Sequence, residues 1–253
     1  MPVDLITVPC LTDNYAFLIH DAATGQTALV DAPEAAPIQA ALDQRGWQLT
    51  DILITHHHDD HVQGLEPLRG TARVIGAKAD AHRLPRLDTE VADGDTLTVC
   101  AQRVEVMDVS GHTMGHVAFH LPDAKLLFTA DSLMAMGCGR LFEGTPAQMW
   151  DSLQKLRALP GDTTVCSGHE YTMTNARFAL SLEPGNSAII SRAEATRTAR
   201  ENGHATVPSQ LALERETNPF LRADDPVLAR AIAMADAQPA EIFTEIRARR
   251  DRF

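Results

Sequence analysis

The densest run of reactive side chains is Thr55-His56-His57-His58-Asp59-Asp60-His61, directly after the apolar stretch Ile52-Leu53-Ile54. Imidazoles and carboxylates in this mixture hold zinc, iron or manganese, and the residue types alone do not choose among them. At the end of a strand, residues i and i+2 point the same way, so His56 and His58 can converge on one ion. Asp60 and His61 follow as the chain turns and can face a second ion. Three more candidates share a strand-end setting downstream: His116 in Ser110-Gly111-His112-Thr113-Met114-Gly115-His116, Asp131 in Phe128-Thr129-Ala130-Asp131, and His169 in Ser167-Gly168-His169-Glu170. A lone His-x-His is more often a solvated loop than a site. His-x-His-x-Asp-His behind an apolar strand, with these segments in order after it, predicts a metal centre.

Positioning such donors takes a layered α/β framework. Val3–Val8, Tyr15–Ile19 and Thr27–Asp31 read as strands between Asp-Asn and Thr-Gly turns. Glu34–Gln44 carries Ile38, Ala41 and Leu42 at helical spacing and stops at Gly46. Strands are expected at 51–55, 73–75, 96–100, 104–109, 117–121, 126–129 and 163–166, with a helix at 147–159. Beyond residue 170 the pattern is all-helical, at 175–182, 187–202, 226–237 and 239–249, the last two with proline at the helix start.

The whole chain is 253 residues long and carries 22 Lys and Arg against 34 Asp and Glu, a net charge of −12. That argues against nucleic acid or an anionic membrane as partner, since both need a basic face. Residues 1–170 hold all of the net charge, whereas 171–253 balance 11 arginines against 11 acids without a lysine, which points to two units. No apolar stretch approaches the ~18 residues of a membrane span. The start, Met1-Pro2-Val3-Asp4-Leu5-Ile6, has no basic leader region. Cys10, Cys100, Cys138 and Cys166 are scattered without a C-x-x-C pair, which fits a reducing, cytoplasmic setting.

The motif Thr55 to His61 resembles that of the metallo-β-lactamase superfamily. Within it, the chain is similar to the hydroxyacylglutathione hydrolase (glyoxalase II) family through Leu11-Thr12-Asp13-Asn14-Tyr15, Gly137-Cys138-Gly139-Arg140-Leu141-Phe142-Glu143-Gly144-Thr145, Gly168-His169-Glu170-Tyr171-Thr172 and Asn218-Pro219-Phe220-Leu221-Arg222. The resemblance implies a four-layer αβ/βα sandwich over residues 1–170 and a helical substrate-binding domain over 171–253. It implies two divalent ions, zinc favoured with iron or manganese fitting the same donors. His56, His58 and His116 would hold one ion, Asp60, His61 and His169 the other, and Asp131 would bridge. Asp60 and Asp131 are therefore the catalytic carboxylates it implies. Arg140, Tyr171, Asn175 and Arg222 match positions that contact glutathione, with Phe142 standing where the family commonly has tyrosine. Asp225 reverses the charge of a lysine found in some members.

The implied reaction is hydrolysis of S-(2-hydroxyacyl)glutathione, chiefly S-D-lactoylglutathione, the second step of methylglyoxal detoxification. The expected partner is thus a small glutathione thioester, and a monomer is favoured. A persulfide dioxygenase or a lactonase of the same superfamily is the enzymatic alternative, and a non-catalytic metal-binding protein the bland one. His112 and Asp31 are expected to orient ligand imidazoles. His57 and Asp59 are expected to point away from the ions. Cys138 reads as a small residue in a tight loop, and the arginines at 247, 249, 250 and 252 as a solvated helix end.

Overall fold

The computed structural model describes residues 3–253. Met1 and Pro2, which open the segment read for a leader, lie outside the described residues. The chain forms two compact units, one running to Val109 and including Thr113–Ala130, the other made of Ser110–His112 and Asp131–Phe253. The composition change at residue 170 falls inside the second unit.

In the first unit, β1 (Asp4–Cys10) and β2 (Asn14–Asp21) form an antiparallel hairpin in register from Asp4 opposite His20 to Cys10 opposite Asn14. Strand β3 (Gln26–Val30) continues antiparallel to β2. Helix α1 (Ala35–Asp43) then crosses over to β4 (Leu49–Leu53), parallel to β3. Short helices α2 (Asp59–Val62) and α3 (Leu65–Arg69) cross over again to β5 (Arg73–Ala77), and β6 (Thr89–Val91) closes this sheet, both parallel to their predecessors. Parallel neighbours require such crossovers because a tight turn cannot reverse the chain twice. Ile52, Leu53 and Ile54 are fully buried, as a continuous apolar run in a central parallel strand must be. Helix α1 turns Ile38 and Leu42, four residues apart, onto Leu29, Ile52 and Leu65.

Strands β7 (Thr96–Val99), β8 (Gln102–Asp108), β9 (Val117–Leu121) and β10 (Leu126–Ala130) form an antiparallel meander. Phe17 of β2 meets Phe128 of β10 edge to face at 5.6 Å between ring centroids, an arrangement the ring quadrupoles favour. The arrangement matters for the site because β3 and β4 point the same way. Their carboxyl ends release Asp31 and Thr55 side by side, and it is at the carboxyl ends of parallel strands that α/β sheets gather ligands.

In the second unit, β11 (Leu133–Met134) and β12 (Gly137–Cys138) form a miniature hairpin. Helix α4 (Pro146–Arg157) starts in a capping box: Thr145 Oγ1 accepts from the Gln148 amide, and Gln148 Oε1 accepts from the Thr145 amide. Strand β13 (Thr164–Ser167) pairs with β14 (Ser209–Gln210), a two-residue strand too short to show a period in a region otherwise read as all-helical. Helices α5 (Thr172–Leu182), α6 (Ser187–Glu201), α7 (Leu211–Thr217), α8 (Pro226–Ala231) and α9 (Pro239–Arg252) complete the unit. Helix α8 is shorter than the expected 226–237 because the chain turns left-handed at Ala233, with φ 63°. Trp150, Phe220 and Phe243 pack together between α4 and α9, and Phe178 of α5 stacks on Phe220.

Two buried ion pairs tie this unit together. Glu214, fully buried, accepts from Arg192, from Ser209 and from the Met136 amide. Asn218 donates its side-chain amide to Met134 O at 3.1 Å and Gly137 O at 2.9 Å, so α7 holds the β11–β12 hairpin. The second pair corrects an expectation. Arg222, read as a contact for a substrate carboxylate, is 8% exposed and spends its guanidinium on Glu183 (2.5 and 3.0 Å) and Asp225 (2.5 Å). Asp225 is therefore the partner of Arg222 rather than a reversed substrate-binding charge, and it also caps α8 through the Val227 amide.

Arg222→Ala should accordingly cost stability rather than substrate affinity. It leaves Glu183 buried without its cation, a loss of about 3–5 kcal/mol, read as a lower urea midpoint. Burial alone would raise the Asp225 carboxyl, but the Val227 amide and Arg222 outweigh it and hold it below the usual carboxylate range. The stability this carboxylate contributes is present above its unfolded value of ~3.9 and is lost as pH falls through the lower folded value. Wild-type protein should show that acid loss, and Arg222→Ala should show a smaller one.

Candidate metal centre

Each unit carries a group of candidate donors, and hydrogen bonds decide which imidazole nitrogen carries the proton in each. In the first unit, Asp31 follows β3 in a left-handed conformation, φ 56°, and turns its carboxylate toward the end of β4. Oδ1 accepts from the Thr55 amide at 2.9 Å, and Oδ2 accepts from the Thr55 hydroxyl and from His61 Nδ1, each at 2.8 Å. A carboxylate only accepts, so His61 Nδ1 carries the proton and Nε2 the lone pair. Thr55 has one hydroxyl proton and gives it to Asp31. Toward His56 Nδ1, 3.0 Å away, it must therefore accept, which again leaves the lone pair on Nε2.

His56 Nε2 lies 3.2 Å from His58 Nδ1. Two nitrogens bound to one tetrahedral zinc at ~2.0–2.1 Å would lie ~3.3 Å apart. The donor set of this loop thus fits a divalent ion held by His56 and His58.

His57 turns away from that pair, as expected, and its Nδ1 meets Asp80 Oδ2 at 2.9 Å. Asp80 is buried and also accepts from Arg83. A Cβ on Gly115 would come within 2.1 Å of the Asp80 carboxyl carbon, so the Thr113-Met114-Gly115-His116 segment needs glycine there. His116 departs from the expected ligand role. It is fully buried and stacks on His56 with ring centroids 4.6 Å apart and planes 11° apart. The in-plane lone pairs of parallel rings run side by side rather than converging, so His116 supports the face of His56.

In the second unit, His112 is the histidine of this segment that faces a carboxylate. His112 Nδ1 lies 2.7 Å from Arg140 O, a carbonyl that can only accept, so its lone pair is on Nε2. That nitrogen faces Asp131 Oδ2 at 3.5 Å, and His169 Nε2 faces the same oxygen at 3.3 Å. A lone pair directed at a carboxylate oxygen is repulsive unless a cation, proton or metal, lies with them, and this is the donor chemistry of an ion site. Gly139 makes the approach possible, since a Cβ there would collide with Asp131 O at 2.0 Å.

Aromatic rings cover the two imidazoles of this unit. Tyr171, 37% exposed, lies flat on His169 at 4.7 Å, and Phe142, 61% exposed, meets His112 edge-on at 5.3 Å. The Arg140 side chain is 64% exposed, 3.9 Å from Asp251. Asn175 is buried, donating to Ala135 O and accepting from Arg250, so it holds the loop from inside. The terminal arginines are not simply a solvated helix end. Arg247 is buried, donates to Cys138 O at 3.1 Å and lies over the Phe220 ring. Burial, reinforced by the charge of Arg247, lowers the Arg250 guanidinium from its usual range. Their i, i+3 spacing on α9 was visible in the sequence, but not what α9 packs against. Cys138 is buried, and burial pushes its thiol up to about 11, so it stays a neutral small side chain rather than a nucleophile.

Residues 12–169 match the model of the metallo-beta-lactamase superfamily, and residues 170–253 match the hydroxyacylglutathione hydrolase C-terminus. A hydroxyacylglutathione hydrolase of Ruegeria pomeroyi is 63% identical over 255 residues, and one of Cereibacter sphaeroides is 60% identical over 255 residues, each match covering 100% of both chains. Among solved structures, the BLEG-1 B3 metallo-beta-lactamase superposes with a TM-score of 0.67 at 19% identity, over 86% of this chain and 99% of that one. ETHE1 from Myxococcus xanthus gives 0.65 at 24% identity, over 98% and 90%. These structures share the fold alone. The sequence relatives and the two family models together cover the catalytic and helical regions, and by them the chain belongs to the hydroxyacylglutathione hydrolase family of the metallo-β-lactamase superfamily.

Proposed function

We propose that this chain is a metal-dependent hydrolase of S-(2-hydroxyacyl)glutathione thioesters, with S-D-lactoylglutathione as the substrate that defines it. The observation that carries the reading is the pair of imidazoles, His112 and His169, aimed at one Asp131 oxygen beside a C-terminal region of the hydroxyacylglutathione hydrolase type. The donors we propose are His56, His58, Asp60 and His61 in the first unit and His112, Asp131 and His169 in the second. Zinc is favoured, since neutral imidazoles and carboxylates at tetrahedral spacing suit it. When bound, such ions lower the pKa of water toward ~7 and polarise the thioester carbonyl.

The chain's own residues do the rest. Asp31, Thr55 and Arg140 O fix the protons of His61, His56 and His112 so that each offers Nε2. Tyr171 and Phe142 lie against His169 and His112, and Arg140, whose carbonyl holds His112, carries an exposed guanidinium of the kind that suits the carboxylates of glutathione. A chain at −12 needs such local positive charge to bind an anion. Phe142 offers apolar contact and no hydroxyl. Asn175 and Arg222 act within the protein and not on the substrate. We infer a monomer working in the cytoplasm, a setting that four buried cysteines without a disulfide suit. No helix among the described residues is long and apolar enough to cross a membrane.

The deciding assay measures hydrolysis of S-D-lactoylglutathione beside a simple lactone, a β-lactam, and oxygen uptake with glutathione persulfide. Preference for the thioester by at least a hundredfold is expected, and oxygen uptake without thioesterase activity would replace the reading with a dioxygenase. Purified protein should carry about two ions per chain. Chelation should abolish thioesterase activity, and added zinc should restore it; full activity with one ion contradicts the binuclear set. Arg140→Ala should raise KM for S-D-lactoylglutathione about tenfold with kcat nearly unchanged, because a charged hydrogen bond remote from the thioester is worth ~1.5–3 kcal/mol and an exposed one falls at the low end. A short thioester lacking glutathione should not register the substitution.

A further inference from the structure

Asn14 opens β2, at the end of the Leu11-Thr12-Asp13-Asn14 turn. Its Nδ2 donates twice to Asp60, to the backbone O at 3.0 Å and to the carboxylate Oδ2 at 3.0 Å. Asn14 is 4% exposed, while the Asp60 side chain is 43% exposed. A half-exposed carboxylate left to itself samples several rotamers, and ordering it costs conformational entropy. One buried amide that grips both the main chain and the side chain of Asp60 removes most of that freedom before any ion arrives.

The turn that carries Asn14 is held in place. The Leu11 amide donates to Glu34 Oε2 at 2.8 Å, and Leu11 is left-handed at φ 48°. A branched side chain in that region costs of order 1–2 kcal/mol, so it persists only where surroundings enforce it. The pairing of Cys10 with Asn14 closes the hairpin behind it. The choice of amide is also informative. An N–H donor favours the ionised carboxylate, as a lysine or arginine would, but it brings no full charge to compete with a metal ion.

We propose that Asn14 is a positioning residue that presets the Asp60 carboxylate for the ion served by Asp60 and His61. The proposal rests on the metallohydrolase reading above. The test is a stepwise zinc titration of metal-free protein against a competing chelator, with thermal unfolding measured alongside. Asn14→Ala should weaken one of the two zinc equivalents by ten- to a hundredfold, the range for loss of a group that orients a ligand. The other equivalent should stay within about threefold. Asn14→Ser, whose hydroxyl is too short to span the same two acceptors, should behave alike and covers the case in which the alanine variant does not fold. Both equivalents unchanged, or both weakened alike, would overturn the proposal while wild-type thioesterase activity keeps the parent reading. A wild-type chain that takes up no zinc would overturn both.

Discussion

The candidate site depends on one carboxylate, that of Asp31. It accepts from the Thr55 amide, the Thr55 hydroxyl and His61 Nδ1. Through those three bonds it joins the ends of two parallel strands, orients the Thr55 hydroxyl, and so determines which nitrogen of both His56 and His61 is available to an ion. The backbone is bent to suit. Asp31 sits at φ 56°, a region aspartate tolerates better than most residues. Its amide donates to Leu53 O while the next amide donates to His61 O. Helix α1 makes this possible by returning the chain so that β3 and β4 run parallel and end side by side.

The second unit reaches the same result by different means. A backbone carbonyl, Arg140 O, takes the Nδ1 proton of His112, and Gly139 lets that loop press against Asp131. The hairpin bearing this loop is held from beneath by Asn218 and by Glu214, which binds the Met136 amide. The helical region therefore fixes the loop that sets one imidazole's proton.

Most of the framework was legible in the sequence. Strands such as Val117–Leu121 lie where they were read, and the Ile52-Leu53-Ile54 run showed a buried strand whose end carries the histidines. What periodicity could not supply was any relation between distant segments. His112 and His116 stand four residues apart in one Gly-His segment, and only the fold shows that the first faces Asp131 while the second stacks on His56. Arg222 has the right chemistry for a carboxylate, but its carboxylates are Glu183, 39 residues earlier, and Asp225. Arg247 and Arg250 looked like a solvated helix end because nothing local reveals that α9 turns them inward. Asp80, which braces His57, stands in a stretch without any motif.

Asp31, Thr55 and Arg140 O place the protons of His61, His56 and His112, and those protons are observable. Long-range hydrogen–nitrogen correlation spectra of the metal-free protein, taken at a pH where the imidazoles are neutral, report the tautomer of each histidine. His56, His61 and His112 should each appear protonated at Nδ1 with an unprotonated Nε2. If His61 or His112 instead carries its proton on Nε2, the hydrogen bonds do not preset the ligand nitrogens, and the account fails.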